Sequence, residues 1–417
     1  MITTEVAVVG GGPAGAAAAI TLARDGRQVV LVDRARFPRD KCCGDGLTAG
    51  ALRRLESLGF DPKSVASWQP VNDVCVRGPA GRTVRFPLPR GQGLYAAVAR
   101  RADLDAALLE VARRAGVRVI EEARMRSART AASDDHVLLS VDGLGAIAAR
   151  YVIGADGMWS PLRKALGAGG RAGPGAAPNG YLGEWHAFRQ YFTNVAPAAA
   201  SALWVWFDAD LLPGYAWSFP LPGGRANVGF GIQRRAGAAT GTMKERWPEL
   251  LARPHIRQVL GPDARPEAAH KAWPIPAQVD PAALTGAGGR ALFVGDAARL
   301  CDPMTGEGIG QALESGALAA AAIVAAGALA PGRAAAQYRR SVAQGLGLDN
   351  RLAAMLSRHG ISHRKGVRAS LALADASAWS RRNFGRWLFE DEPRAILATP
   401  HRWHAGLFHR PGAFRDA

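Results

Sequence analysis

The chain has 417 residues, long enough to bury a large core in two or three domains, and its hydrophobic fraction of 48 % is ordinary for a globular protein. The net charge is +17, but arginines are spread along the whole chain and form no basic cluster interleaved with aromatics; this excludes nucleic acid as the partner and leaves an anionic membrane surface open. Cys42, Cys43, Cys75 and Cys301 fit neither a disulfide framework nor a zinc site, so no metal is expected and the expected compartment is the reducing cytoplasm, with peripheral attachment to the inner face of the cell membrane as the variant.

In chain order, Val6-Ala7-Val8-Val9 reads as a buried parallel strand, too short for a signal peptide. Gly10-Gly11-Gly12-Pro13-Ala14-Gly15 follows as a G-x-G-x-x-G, then an Ala-rich helix from Ala16 to Arg24, then Val29 to Val32 ending in Asp33. In this motif Gly10 permits the tight turn, Gly12 lets the backbone approach a pyrophosphate, and Gly15 lets the helix pack on the sheet. The helix N-terminus favours the phosphates. Asp33 accepts hydrogen bonds from ribose hydroxyls and argues against a 2′-phosphate, so the ligand is FAD or NAD, not NADP.

Arg34 to Leu47 is a loop by composition. Ala49 to Leu58 reads as a helix, Val74 to Phe86 as two strands about a Gly78-Pro79-Ala80-Gly81 turn, and Arg101 to Gly116 as an amphipathic helix. Val117 to Ile120, Val137 to Val141 and Ala146 to Ile153 read as strands, followed by a second glycine signal, Gly154-Ala155-Asp156-Gly157. Between about 178 and 276 the aromatics become dense and the period approaches two, as in an inserted antiparallel sheet. The α/β texture returns with Leu292-Phe293-Val294-Gly295-Asp296, and a loop through Gly306, Glu307 and Gly308 leads from Ile309 into a long helix. The Ala317 to Ala330 run reads as a packed helix rather than a membrane span. The organisation expected is an α/β Rossmann-type domain in two parts, 1–177 and 277–332, a sheet domain over 178–276, and a basic helical region over 333–417. In that last region Trp379 to Phe389, with Arg381, Arg382 and Arg386, reads equally as a membrane-surface helix or as a cap over the cavity.

Three glycine–acid signals in this order, G-x-G-x-x-G, Ala155-Asp156-Gly157 and Gly295-Asp296, resemble the FAD-binding fold of the para-hydroxybenzoate-hydroxylase type over about residues 1–330. The resemblance implies that FAD is the cofactor, that Asp296 holds the ribityl chain, and that Arg101 reaches the FAD backbone. It also implies that backbone N–H groups at Gly308 and Ile309 face the flavin pyrimidine, where a helix N-terminus stabilises reduced flavin. Two motifs narrow the likeness to the geranylgeranyl reductases. Lys41-Cys42-Cys43-Gly44-Asp45-Gly46-Leu47 is similar to their K-x-C-G-x-G-L loop, with Cys42 where proline is usual. Tyr215-Ala216-Trp217-Ser218-Phe219-Pro220, followed by Asn227-Val228-Gly229-x-Gly231, is similar to their Y-x-W-x-F-P signature, and Pro303-x-Thr305-Gly306-Glu307-Gly308-Ile309 also matches. The Pro213-Gly214-Tyr215 start is like the actinobacterial menaquinone reductases.

The function this implies is flavin-dependent saturation of carbon–carbon double bonds in an isoprenoid or prenyl-quinone chain. Reduction would come from an external donor such as NAD(P)H or ferredoxin, since no second dinucleotide fold is visible. Tyr215, Trp217 and Cys43 are the candidate catalytic residues, with Phe219 and Gly46 at the substrate, and Arg34 and Gly44 beside the cofactor. Period-two aromatics also pack as ordinary core; Cys43 is either a redox or proton-handling thiol or a small buried residue. A flavin monooxygenase or halogenase-like enzyme shares the scaffold and is the alternative; a non-catalytic FAD sensor is a third class.

Overall fold

The Val6–Val9 run is the inner half of a strand, Ile2–Val9, that pairs in parallel with Gly145–Gly154 on one side and Val29–Val32 on the other. The computed structural model describes residues 1–133, 135–168, 183–234 and 243–415. The first sheet runs Thr285–Gly286, Ala291–Phe293, Gly145–Gly154, Ile2–Val9, Val29–Val32, Arg118–Ile120, with Val137–Val141 and Met125–Thr130 added antiparallel beside Gly145–Gly154. Val29–Val32 is buried at every position, as a parallel strand covered on both faces must be.

The covering helices are Pro13–Arg24, Arg101–Arg114 and Ile309–Ala326. Alanines along Pro13–Arg24 keep its surface shallow, and a Cβ on Gly316 would stand 2.2 Å from the Ala14 carbonyl oxygen. The two helices therefore cross at backbone contact. Ile309–Ala326 has a mean hydropathy of 1.5 and is 61 % buried, the position of a core helix.

The second sheet carries the order Arg265–Pro266, Trp185–Thr193, Arg225–Gln233, Tyr215–Leu221, Leu203–Trp206, Asp73–Arg77, Thr83–Pro87, with Lys271–Ile275 also on Trp185–Thr193. It differs from the expected insert in two ways. The hairpin 73–87 belongs to it, although it precedes the proposed insert by a hundred residues. That hairpin joins by a parallel pairing, Leu203 to Val74 and Trp206 to Arg77, so the sheet is mixed. Parallel neighbours need a long crossover, and alternation within one strand gives no sign of it. The helices Met243–Ala252 and Pro254–Leu260, on the outer face, were also not legible amid the aromatic strands. A small sheet of Gly46–Thr48, Ala96–Val98 and Gln69–Pro70 ties the glycine loop to the hairpin side. The proposed boundary near 177 lies outside the described residues.

The C-terminal region is helical, as expected: Pro331–Gln344, Leu346–Leu356, a π turn at Ser357–Ile361, Arg364–Ala374 and Ala378–Leu388. It folds back over the second sheet. The Phe384 ring packs at a tilt on Phe86, centroids 5.0 Å apart, and the Phe389 carbonyl accepts the Ala49 N–H at 2.8 Å.

Candidate active site

One cavity of about 1040 Å³ runs between the two sheets and under the C-terminal helices. Its first half is built by the glycine turn. Gly10 sits at φ +110°, where a side chain would strike the Ala155 carbonyl oxygen at 2.2 Å; a Cβ on Gly15 would stand 1.9 Å from the Gly10 oxygen. Only glycine allows this strand, turn and helix to close on each other. A Cβ on Gly12 would instead point at the guanidinium groups of Arg39 and Arg101, 3.6 and 3.8 Å away. These two arginines share one fully buried carboxylate: Asp105 accepts two 2.8 Å hydrogen bonds from Arg101 and pairs with Arg39 at 3.1 Å. Two cations on one anion leave a net positive charge facing the helix N-terminus, matched to a pyrophosphate. Asp33 accepts the Gly11 N–H at 2.7 Å and the Ala35 N–H at 2.8 Å, which aims its remaining lone pairs at the cavity. Asp296 is bridged by Lys41 at 3.2 Å. Burial pushes the Asp296 carboxyl up, but Lys41, the Cys301 thiol and Arg101 together hold it below its ordinary range.

The second half is an aromatic wall. Tyr215, Trp217 and Phe219 stand on one face of their strand, successive ring centroids 6.0 Å apart, and line the cavity with Trp185 and Phe207. The glycine loop lies against this wall: a Cβ on Gly44 or Gly46 would meet the Phe219 ring at 3.3 or 3.1 Å. On the neighbouring strand, a Cβ on Gly229 would sit 2.4 Å from the Trp217 ring, so the indole lies flat only because that position is glycine. Asn227 then locks wall to loop. Its Oδ1 accepts the Trp217 indole N–H at 3.1 Å, while its Nδ2 donates to the Cys43 carbonyl at 2.8 Å and to Asp45 Oδ2 at 2.9 Å. Asp45 is fully buried in the left-handed region at φ +66°, and also accepts the Tyr191 hydroxyl at 2.6 Å. Burial lifts its carboxyl to about 6, against the hydrogen bonds from Tyr191 and Asn227.

Sequence reasoning assigned no role to a third feature, a cluster of carboxyls. Asp302, Glu307 and Glu390 surround one guanidinium, Arg394. Arg394 pairs with Asp302 at 3.2 Å and with Glu390 at 3.4 Å. Glu390 also accepts from Thr48 at 3.2 Å and Gln311 at 3.0 Å. Three closely spaced carboxyls around one cation do not all ionise readily. Glu307 makes no ion pair among the described residues; its Oε1 accepts the N–H groups of Ile309 at 3.0 Å and Gly310 at 3.3 Å. Burial first, and then Glu390, push its carboxyl up to about 8. Glu307 is thus a neutral acid at pH 7. The available signal was its place in the loop that opens the Ile309–Ala326 helix; the carboxyls around it come from Asp302 and, far along the chain, Glu390.

Of the residues singled out from the sequence, all but Gly15 and Gly295 line this cavity: Gly10, Gly12, Pro13, Ala14, Asp33, Arg34, Cys43, Gly44, Gly46, Arg101, Asp156, Tyr215, Trp217, Phe219, Asp296, Gly306, Gly308 and Ile309. Gly15 and Gly295 lie behind it; a Cβ on Gly295 would press on Ala14 at 3.1 Å. Burial pushes the Cys43 thiol up to about 11, whereas a redox role requires the thiolate. The Tyr215 hydroxyl donates to the Thr305 carbonyl. Arg381 and Arg386 are tied to Asp375 and Asp391, while Phe384, Trp387 and Leu388 line the cavity; the 378–388 helix covers the cavity, with Arg382 and Trp379 on its exposed side.

The fold and this cavity define an FAD-dependent oxidoreductase, and the residues present fit that cofactor. The glycine cradle opens toward two arginines, and the Asp33 and Asp296 carboxyls line the same cavity. The FAD binding domain family matches residues 3–338. A menaquinone reductase of Mycobacterium tuberculosis is 34 % identical over 329 residues, covering 76 % of each chain. A digeranylgeranylglycerophospholipid reductase of Methanosarcina mazei is 29 % identical over 322 residues, 76 % of this chain and 74 % of that one. A geranylgeranyl bacteriochlorophyll reductase-like protein of Thermoplasma acidophilum superposes with a TM-score of 0.75 at 21 % identity, over 96 % of this chain and 99 % of that one. The chain belongs to the geranylgeranyl reductase family of FAD-dependent oxidoreductases, within the wider FAD binding domain family.

Proposed function

We propose that the protein saturates isolated carbon–carbon double bonds of an isoprenoid chain, either the side chain of a menaquinone or a geranylgeranyl lipid. One observation carries this reading: the Cys43–Gly46 loop and the Tyr215–Phe219 strand, 170 residues apart, form one aromatic wall in the cavity that also holds the dinucleotide residues. The names of the relatives at 34 and 29 % identity support the same substrate class.

Reduced FAD, when bound, supplies a hydride. The chain must do the rest: bind a chain with no polar handle, fix one double bond in register, keep water away and deliver a proton. Tyr215, Trp217 and Phe219 supply the apolar surface, and Phe384, Trp387 and Leu388 close it from the cap. Asn227 fixes the indole plane through Trp217 Nε1. Glu307 Oε2 is the proton source this reading favours, because it sits on a neutral carboxyl in the cavity and makes no hydrogen bond among the described residues. Asp33, Arg101 and Asp296 hold the cofactor, and its electrons come from an external donor such as NAD(P)H or ferredoxin. The reaction belongs at the cytoplasmic face of a membrane, where such lipids reside.

A single anaerobic turnover tests the proposal. The reduced, FAD-loaded protein is mixed with a menaquinone or geranylgeranyl diphosphate, and the product is weighed. Product that gains two hydrogens as the flavin reoxidises supports the reductase. Product formed only after oxygen enters, and carrying an added oxygen atom, refutes it in favour of monooxygenation.

A further inference from the structure

Residues 350–374 contain no aspartate or glutamate. They form the end of the Leu346–Leu356 helix, the π turn and the Arg364–Ala374 helix. One side of this unit, with Leu356, Ile361, Val367 and Leu371, lines the cavity. The other side exposes Arg358, Arg364, Lys365 and Arg368, and also Met355, 51 % exposed, and Leu373, 75 % exposed.

The charge on this outer face is uncompensated. None of the four cations makes an ion pair among the described residues, whereas the carboxylates flanking the segment are taken by other arginines: Asp349 by Arg402 and Asp375 by Arg381 and Arg82. Arg364 and Lys365 also occupy the first turn of their helix, which holds no acidic residue and no side-chain cap. Cations there oppose the macrodipole. The arrangement is unfavourable in water and becomes favourable beside an anionic surface. A cationic face with two large apolar side chains suits the interface of a charged bilayer better than a polyanion in solution, which would leave Met355 and Leu373 in water.

We propose that the outer face of residues 350–374 docks on an anionic phospholipid bilayer, so that the helical wall of the cavity is the part of the protein seated in the lipid headgroups. The inference rests on reading the cavity as a pocket for a lipid's isoprenoid chain. Each cation near such a surface contributes roughly a fivefold gain in partitioning, so reversing three should cost roughly a hundredfold or more.

The test is co-sedimentation of the full-length, FAD-loaded protein with vesicles of phosphatidylglycerol mixed into phosphatidylcholine, and with phosphatidylcholine alone. The protein should bind the first and not the second. The triple variant Arg364→Glu, Lys365→Glu, Arg368→Glu should lose binding, yet keep its flavin and its single turnover on detergent-dispersed menaquinone. The control Arg114→Glu, Arg118→Glu, Arg129→Glu, on exposed positions elsewhere, should bind as before. Three results would overturn the proposal: no binding by the unaltered protein, unchanged binding by the triple variant, or an equal loss in the control. A native dimer that the triple variant splits would assign this face to a second copy instead. If the reversed triple fails to hold flavin, the glutamine set at the same positions decides. Vesicle binding without any reduction of a prenyl substrate would leave the docking face standing and remove the catalytic reading.

Discussion

Replacing Glu307 by glutamine separates the protonation state of this carboxyl from every other contact it makes. Glutamine keeps an oxygen at Oε1 for the Ile309 and Gly310 N–H groups and places an amide at Oε2, which makes no hydrogen bond among the described residues. Lifting the carboxyl from 4.5 to about 8 corresponds to an upper bound of about 5 kcal/mol. Glu307 is only partly buried, and cavity water screens it, so about 2 kcal/mol is a fairer figure. Below pH 4.5 the folded and unfolded chains both hold the proton. Between 4.5 and about 8 only the folded chain does, so stability falls as pH rises, and above about 8 the deficit is complete. The groups that set this field are Asp302, Glu390, Arg394, Tyr215, Cys43 and Cys301. For a chain of this length about 2 kcal/mol is about 2 °C in Tm. Differential scanning at pH 5 and pH 9 should therefore find Glu307→Gln equal to the parent at pH 5 and about 2 °C more stable at pH 9. The same variant should retain FAD and lose turnover. An equal Tm difference at both pH values would show that Glu307 is ionised in the folded protein and would sink its assignment as proton source.

Gly15→Ala should yield protein without flavin, because its Cβ would meet the Gly10 oxygen at 1.9 Å; a normal yellow absorbance would contradict the cradle geometry. Trp217→Ala should retain FAD and lose turnover, read by single-turnover flavin reoxidation, and full activity would remove this strand from the site. Asp45→Asn suits the φ of that position but turns an amide toward one of three donors, Tyr191, Asn227 or the Arg101 N–H. A loss of about 1–3 kcal/mol follows from the orphaned group, and an unchanged denaturation midpoint would mean that the network does not tie loop to wall.

The dinucleotide half was legible from the order of residues alone. Strand, glycine turn, helix and Asp33 are encoded within about 30 residues, and the steric rule at Gly15 acts against Gly10, near in the chain as well as in space, whereas the contact of Gly10 with Ala155 comes only with the fold. The aromatic strand at Tyr215 and the glycine loop at Cys43 were each legible as motifs for the same reason. Tertiary structure alone decided that they touch, because Asn227 reaches Cys43 and Asp45 across more than 180 residues. It also moved the hairpin 73–87 into the second sheet, since the parallel pairing with Leu203–Trp206 leaves no trace in the alternation of either strand. The chemistry of the carboxyls was decided there too. Protonation depends on what else is buried nearby: burial first, and then Glu390 from the far end of the chain, push the Glu307 carboxyl up.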